Sequence, residues 1–458
     1  MDHSEIVFGI LGNAFHCPVM GEFEYLENAL ITVDTAGRIQ AVLRPEEYQS
    51  SGIVQALEGQ GRLQRLTASQ YLIPGLIDLH NHAPQWPQMG KGLDLPLYDW
   101  LSNYTFPLEA KYQDLEFARQ VYGDLVQSTL SSGTTSAVYF SSLHLEPSLV
   151  LAETCLDKGQ RAFVGKVCMD DPDQCPDYYR QSAQQSLYET ETFNHAVAGM
   201  KGNQGLVSSV VTPRFIPSCT EGLLKELGQF ATANDCYVQT HCSESDWARD
   251  YSQQKYGETD ISVYERTGLL GRKTLLAHSI FLTNQDILII KDRGAGIAHC
   301  PLSNMCFANA AMTTRELLDQ GVHCGLGSDV AASVTPSMLR SCFDAVTHSR
   351  VREEGTSTHR PAGERGESNT RISLVESFWM ATAGGGQSLD QNIGLFKAGF
   401  GFDAVVVDAA VPDCDLTIWP GMDSPADILE KIISTTSRHN VTRVWVQGRQ
   451  VIDKKTAG

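Results

Sequence analysis

At 458 residues, with 42% hydrophobic and 19% charged side chains, the chain has the make-up of a globular enzyme with one large domain and a smaller one. Its formal charge of −19 repels a phosphate backbone, which sets nucleic acid aside as a partner. No apolar run reaches membrane-spanning length, so no membrane is expected, and Met1 to Glu5 lacks the basic segment of a signal peptide.

The 12 cysteines stand singly, with no C-x-x-C pair, and read as small core residues in a reducing compartment, the cytoplasm, not as a disulfide framework. Their arrangement also excludes the H-x-E…P-C-x-x-C signature of one class of zinc deaminases.

In chain order, residues 1–70 read as a β-rich unit. The alternating runs Ala29 to Val33 and Ile39 to Leu43 flank a turn at Asp34-Thr-Ala-Gly37. An apolar run from Leu72 to Leu79 then ends in His80-Asn81-His82. Further short apolar runs follow, at Ser136 to Phe140, Arg161 to Val167, Leu206 to Val211, Cys236 to Thr240, Thr274 to Ala277, Ala295 to Ala298 and Val322 to Gly327. Helix-compatible segments separate them, the pattern of a (β/α)₈ barrel. One such helix, Pro336 to Val346, is expected to bury Met338, Leu339, Cys342, Phe343 and Val346. Val351 to Thr370 reads as a polar surface loop. Strand-like runs return at Ala404 to Asp408 and Val441 to Val446. The expected fold is thus α/β, a TIM barrel over 71–390 with a small β-rich composite domain from 1–70 and 391–458.

Several barrel strands stop at a residue able to bind metal or move protons: His80 and His82, His241, His278, His299 and Asp329. Side chains two apart on a strand share a face, so His80 and His82 can reach one ion. Barrel strand ends converge on one mouth, where active sites are built. His80, His82, His241 and Asp329 form the expected ligand set, which suits zinc, with iron or another divalent ion as alternatives. Zinc lowers the pKa of bound water from 15.7 to about 7 and so makes it a nucleophile near neutrality.

Glu244, three residues past His241, is either a proton shuttle or a helix-start carboxylate favoured by the helix dipole, and beside His241 the shuttle is the better reading. His278 is expected to orient the nucleophile or leaving group without ligating. His299 either serves the site or only anchors its loop. The remaining histidines, among them His16, His144 and His323, read as structural.

Together, the H-x-H, the His241-x-x-Glu244 pair, His278, His299-Cys-Pro-Leu-Ser-Asn304 and Asp329 resemble the amidohydrolase superfamily. Strand four ends in Thr212-Pro-Arg-Phe215, without the lysine that bridges two metals in binuclear members, so the resemblance implies one metal per chain. More narrowly, Pro74 to Gln85, Asp94 to Leu101, Tyr104 to Pro107, Gly165 to Asp170 and Thr212 to Phe215 resemble the guanine deaminase family. That resemblance implies hydrolytic deamination of guanine to xanthine and ammonia in a homodimer. Gln85 and Arg214 would hold the purine and Phe215 would pack on it, with Glu244 and His278 also in reach. Arginine suits a carbonyl such as purine O6, because its planar fork donates hydrogen bonds. The stretches after Asn304 (Met305 to Met312) and after Asp329 (Val330 to Thr335) depart from the family pattern. The alternatives are another aminated heterocycle (a pterin, 8-oxoguanine or a triazine) on the same machinery, or a non-catalytic scaffold.

Overall fold

The computed structural model describes residues 6–308 and 310–454; the N-terminal segment Met1 to Glu5 and Asn309 lie outside them. Eight parallel strands run in sequence order around a barrel: Leu76–His82, Thr134–Phe140, Arg161–Gly165, Val207–Pro213, Tyr237–Cys242, Thr274–His278, Gly296–His299 and His323–Leu326. Each apolar run read as a barrel strand contains one, though the first and third runs are each broken in two. Among the described residues, no ladder pairs the last strand with the first. At the mouth, the Asp329 N–H donates to the His80 carbonyl and the His82 N–H to the Val330 carbonyl, both at 2.9 Å.

The run from Leu72 to Leu79 is not one strand. It breaks at Gly75, and Gln70–Pro74 leaves the barrel to pair antiparallel with Ala404–Asp408. The cause is a close approach: a Cβ on Gly75 would lie 2.1 Å from the Thr135 hydroxyl. The terminal sheet runs, in spatial order, through Arg449–Asp453, Val441–Val446, Ala404–Asp408, Gln70–Pro74, Ile6–Val19, Glu22–Asp34 and Ile39–Leu43, with Leu63–Arg65 alongside Ile6–Val19. The expected turn after Val33 is closed by Asp34, whose Oδ1 accepts the N–H groups of Ala36 and Arg38.

Helices cover the barrel, and side chains cap their starts: Asp114, Ser182 and Thr220 each accept a backbone N–H of the first turn. Two expectations about the Met338–Glu354 helix change. Phe343 is 43% exposed, and Ala345 and Ser349 are buried in its place. At 3.6 residues per turn the buried line runs 338, 342, 345, 349, and position 343 falls well to one side of it. The loop expected from Val351 begins only after Glu354. Arg352 donates to the Ala311 carbonyl and Glu353 accepts the N–H groups of Thr370 and Arg371, which holds the last turn.

Among the described residues, no helix is long and apolar enough to cross a membrane.

Candidate active site at the barrel mouth

In the first barrel strand Asp78 lies opposite Ala137 and Asn81 opposite Tyr139, so between these pairs the strand carries one residue more than its neighbour, which offsets the opposite irregularity between Leu76 and Ile77. This bulge changes which side chains face inward. Below it, Ile77 and Leu79 join Val138, Phe163, Val210, Leu275 and Ala298 in one apolar cluster. Above it, His80 and His82 both turn to the mouth. Asp78 ties this strand end to the segment after the eighth strand. Its carboxylate accepts from the Ser328 N–H (2.8 Å) and hydroxyl (2.6 Å), from Asn81 Nδ2 and from the His80 N–H. Burial pushes the Asp78 carboxyl up to about 6, against those four donors. Gly327 permits the approach, since a Cβ there would sit 2.7 Å from the His80 Cβ.

The structure brings the four expected ligands together. His82 Nε2 lies 2.9 Å from His241 Nε2, and Asp329 Oδ1 lies 3.3 Å from His80 Nε2 and 3.7 Å from His82 Nε2. All four residues are buried. His241 Nδ1 is 2.7 Å from the Arg214 carbonyl, which accepts its proton and leaves Nε2 with a lone pair turned inward. His80 Nε2 is buried without a hydrogen-bond partner. Burial pulls all three imidazoles below their ordinary pKa, which favours the neutral form that ligates. Burial opposes ionisation of Asp329 too, but the imidazoles of His80, His278 and His82 outweigh it and hold the carboxyl well below its usual range. Nitrogens that burial drives toward the neutral form, converging with a carboxylate whose pKa is held down, fit a divalent cation. Cys300 also approaches His80, His278 and Asp329, but burial keeps its thiol protonated and so a poor ligand.

Glu244 is 8% exposed, with Oε1 3.6 Å from His278 Nε2. The helix-start reading does not describe it. The helix Asp246–Tyr256 is capped by Ser245 and its first-turn acid is Asp246. Burial raises the Glu244 pKa, against the pull of His278. His278 Nδ1 donates to Asn304 Oδ1 at 2.9 Å, which turns Nε2 toward Glu244 and toward Asp329 Oδ2 at 3.8 Å. Asn304 Nδ2 in turn lies 3.4 Å from His299 Nδ1. Asn304 thus links the His299 ring to His278, and the His299 carbonyl accepts the Gly327 N–H at 2.9 Å. His278 and Asp329 both hold left-handed backbone, φ 68° and 50°, which non-glycine residues adopt at a cost of about 1–3 kcal/mol.

A narrow pocket opens beside these groups, and Gln85, Arg214, Phe215 and Ala332 line it with Glu244 and Asp329. Of the five residues expected within reach of substrate, Gln85, Arg214, Phe215 and Glu244 line this pocket and His278 does not. Phe215 packs edge-on to Trp247, with ring centroids 5.7 Å apart, and Trp247 meets Tyr98 in the same way.

What the sequence reading missed is Glu109. Fully buried, it pairs with Arg214 through both oxygens, at 2.8 Å to Nη1 and 3.3 Å to Nη2, and accepts from Gln85 Nε2 at 3.0 Å. Phe106, one turn earlier, lies under the guanidinium at 5.3 Å. The family-like stretch Tyr104 to Pro107 stops two residues short of Glu109, and an apolar run followed by an acid at a helix end carries no signal of its own.

Comparison with known proteins gives a consistent neighbourhood. The amidohydrolase family model matches residues 71–451. Guanine deaminase of Dictyostelium discoideum is 34% identical over 98% of this chain and 99% of its own. Guanine deaminase of Mus musculus is 36% identical over 95% and 94%. Among solved structures, guanine deaminase of C. acetobutylicum, with guanine bound in its active site, has a TM-score of 0.85 and 30% identity over 97% of this chain and 99% of that one.

Proposed function

The chain belongs to the amidohydrolase family, and on that premise we propose that it is a guanine deaminase, releasing ammonia from guanine to give xanthine. The observation that carries this reading is one pocket holding both the neutral-nitrogen and carboxylate cluster and the purine-facing groups, in a chain this similar to guanine deaminases from end to end.

His80, His82, His241 and Asp329 would hold one divalent ion, zinc in this reading with iron or another ion as alternatives. When bound, such an ion supplies a Lewis acid that activates water at neutral pH. The residues do the rest. Glu244 takes a proton from the attacking water and passes it to a ring nitrogen. Its raised pKa suits it to both directions of transfer. His278, oriented by Asn304, and Asp329 hold the remaining proton as ammonia leaves. Arg214 and Gln85 hold the base and Phe215 packs against it.

The same reading takes 71–390 as the hydrolase barrel and 1–70 with 391–458 as its β-rich companion. The mixed origin of the terminal sheet supports the joining of the two ends, although Gln70–Pro74 pairs with Ala404–Asp408, so residues 71–74 lie in the companion sheet and not in the barrel. A cytoplasmic homodimer belongs to this reading by family resemblance, and sedimentation of the purified chain tests the dimer.

The deciding experiment is ammonia release across guanine, adenine, 8-oxoguanine, a pterin and a triazine. Guanine should be turned over. Adenine places an amino donor where guanine has O6, opposing the Arg214 donors, and a site built on such a bond rejects the mismatch by about 10⁴-fold or more. Preference for a pterin or triazine would overturn the substrate assignment and leave the machinery standing.

A further inference from the structure

Glu109 stands behind the pocket wall and does not line it, yet both polar residues of that wall point their donors at it. We propose that Glu109 is a positioning residue that sets ligand specificity: it cancels the charge of Arg214 and fixes the amide of Gln85, so that the pocket selects a neutral oxopurine over an anionic one. The inference rests on the assignment of Arg214 and Gln85 as base-holding groups.

Three observations carry it. First, both partners are at least 97% buried, so water does not screen the pair, and Glu109 meets the guanidinium with two bonds, one oxygen to each terminal nitrogen. A ligand reaching Arg214 finds the remaining N–H donors of a compensated ion pair, not a free cation. That arrangement rewards a carbonyl oxygen for its direction and gives an anion little extra. Second, Gln85 Nε2 donates to Glu109 Oε1 while Gln85 Oε1 accepts the Ala331 N–H at 3.4 Å. The short bond is the one to Glu109, so Glu109 decides which end of the amide is the donor. Third, the helix Phe106–Glu109 holds the guanidinium twice, by the Phe106 ring and the Glu109 carboxylate. The rotamer of Arg214 is therefore set by a segment 105 residues away in sequence.

The test compares the neutral substrate guanine with urate, an oxopurine that is an anion at neutral pH, on the metal-loaded enzyme. Glu109→Gln keeps the side chain's size and removes its charge. It should raise KM for guanine and tighten inhibition by urate, each by about tenfold or more, with metal content unchanged. Adding Arg214→Met to Glu109→Gln should abolish the urate gain, because the uncovered cation is then gone. General damage to the fold would weaken both ligands together, and that result would overturn the proposal. Glu109→Asp keeps the charge but is one methylene too short to serve Arg214 and Gln85 at once. It should lower kcat/KM for guanine without tightening urate, and if Glu109→Gln does not fold, wild-type kinetics in Glu109→Asp sink the idea. Should the wild-type enzyme leave guanine untouched, the assignment of Arg214 and Gln85 to the base fails, and this inference fails with it.

Discussion

The pocket has two walls built by different means. On one, His80, His82, His241 and Asp329 are set at strand ends, and backbone pairing across the barrel mouth holds them in place. On the other, Gln85, Glu109 and Arg214 come from three separate segments, and side-chain bonds alone join them. The first wall is as rigid as the barrel and disappears only with it. The second is a charge pair with one amide attached, open to retuning by a single substitution while the fold stands. A family that keeps its reaction and changes its substrate would vary the second wall.

The largest effect should come from deleting a ligand. His241→Ala should lose both the metal and the activity, from about one equivalent per chain to near zero by elemental analysis. A variant that kept a full equivalent would take His241 out of the ligand set. A reproducible two equivalents in the wild type would break the mononuclear reading itself.

Next is Glu244, between the walls. Glu244→Gln should keep its metal and fold while kcat falls about 10²–10⁴-fold. Turnover near wild type would return Glu244 to a passive role beside His278.

A smaller loss is expected from the scaffold of the first wall. Asp78 never reaches the pocket, but its four accepted hydrogen bonds lock Ser328, and through it Asp329, to the strand bearing His80. Asp78→Asn replaces one acceptor oxygen with a donor that opposes Ser328 or Asn81. Metal affinity should fall about 10–100-fold, the usual range for residues supporting ligands, measured by competition with a chelator. Unchanged affinity would show that strand pairing holds the site without Asp78.

The same contrast explains what the sequence makes legible. Polar residues at strand ends follow the barrel's period, so His80, His82, His241, His278 and Asp329 can be read from where apolar runs stop. Strand identity is legible for the same reason. The bulge between Asp78 and Asn81 is not, because one extra residue in an apolar strand leaves no mark in composition. Nor is the break at Gly75, which depends on Thr135 arriving from the next strand. Phe343 misleads because hydrophobicity is taken for burial at a position off the packed line. Glu109 is hidden most deeply. An ion pair spanning 105 residues is a tertiary fact, and nothing local to Phe106-Pro-Leu-Glu109 announces it.

The smallest effect separates the walls by pH. Two buried carboxylates near the pocket are driven in opposite directions: burial raises Glu244, while the surrounding imidazoles outweigh burial and depress Asp329. A general base must be ionised, so kcat/KM should fall as pH drops through the raised Glu244 pKa. Asp329, ionised far below that range, should add no second step. The acid limb of the profile should therefore lie above the ordinary glutamate value of about 4.3. Arg214 keeps its proton throughout, since Glu109 outweighs its burial, so the second wall has no proton to gain or lose there. Gln85→Leu should accordingly raise KM for guanine and leave the acid limb where it is. A limb in the ordinary glutamate range would deny Glu244 the role of base. A limb that moves with Gln85→Leu would mean that the walls share one electrostatic system, and the division drawn between them would fail.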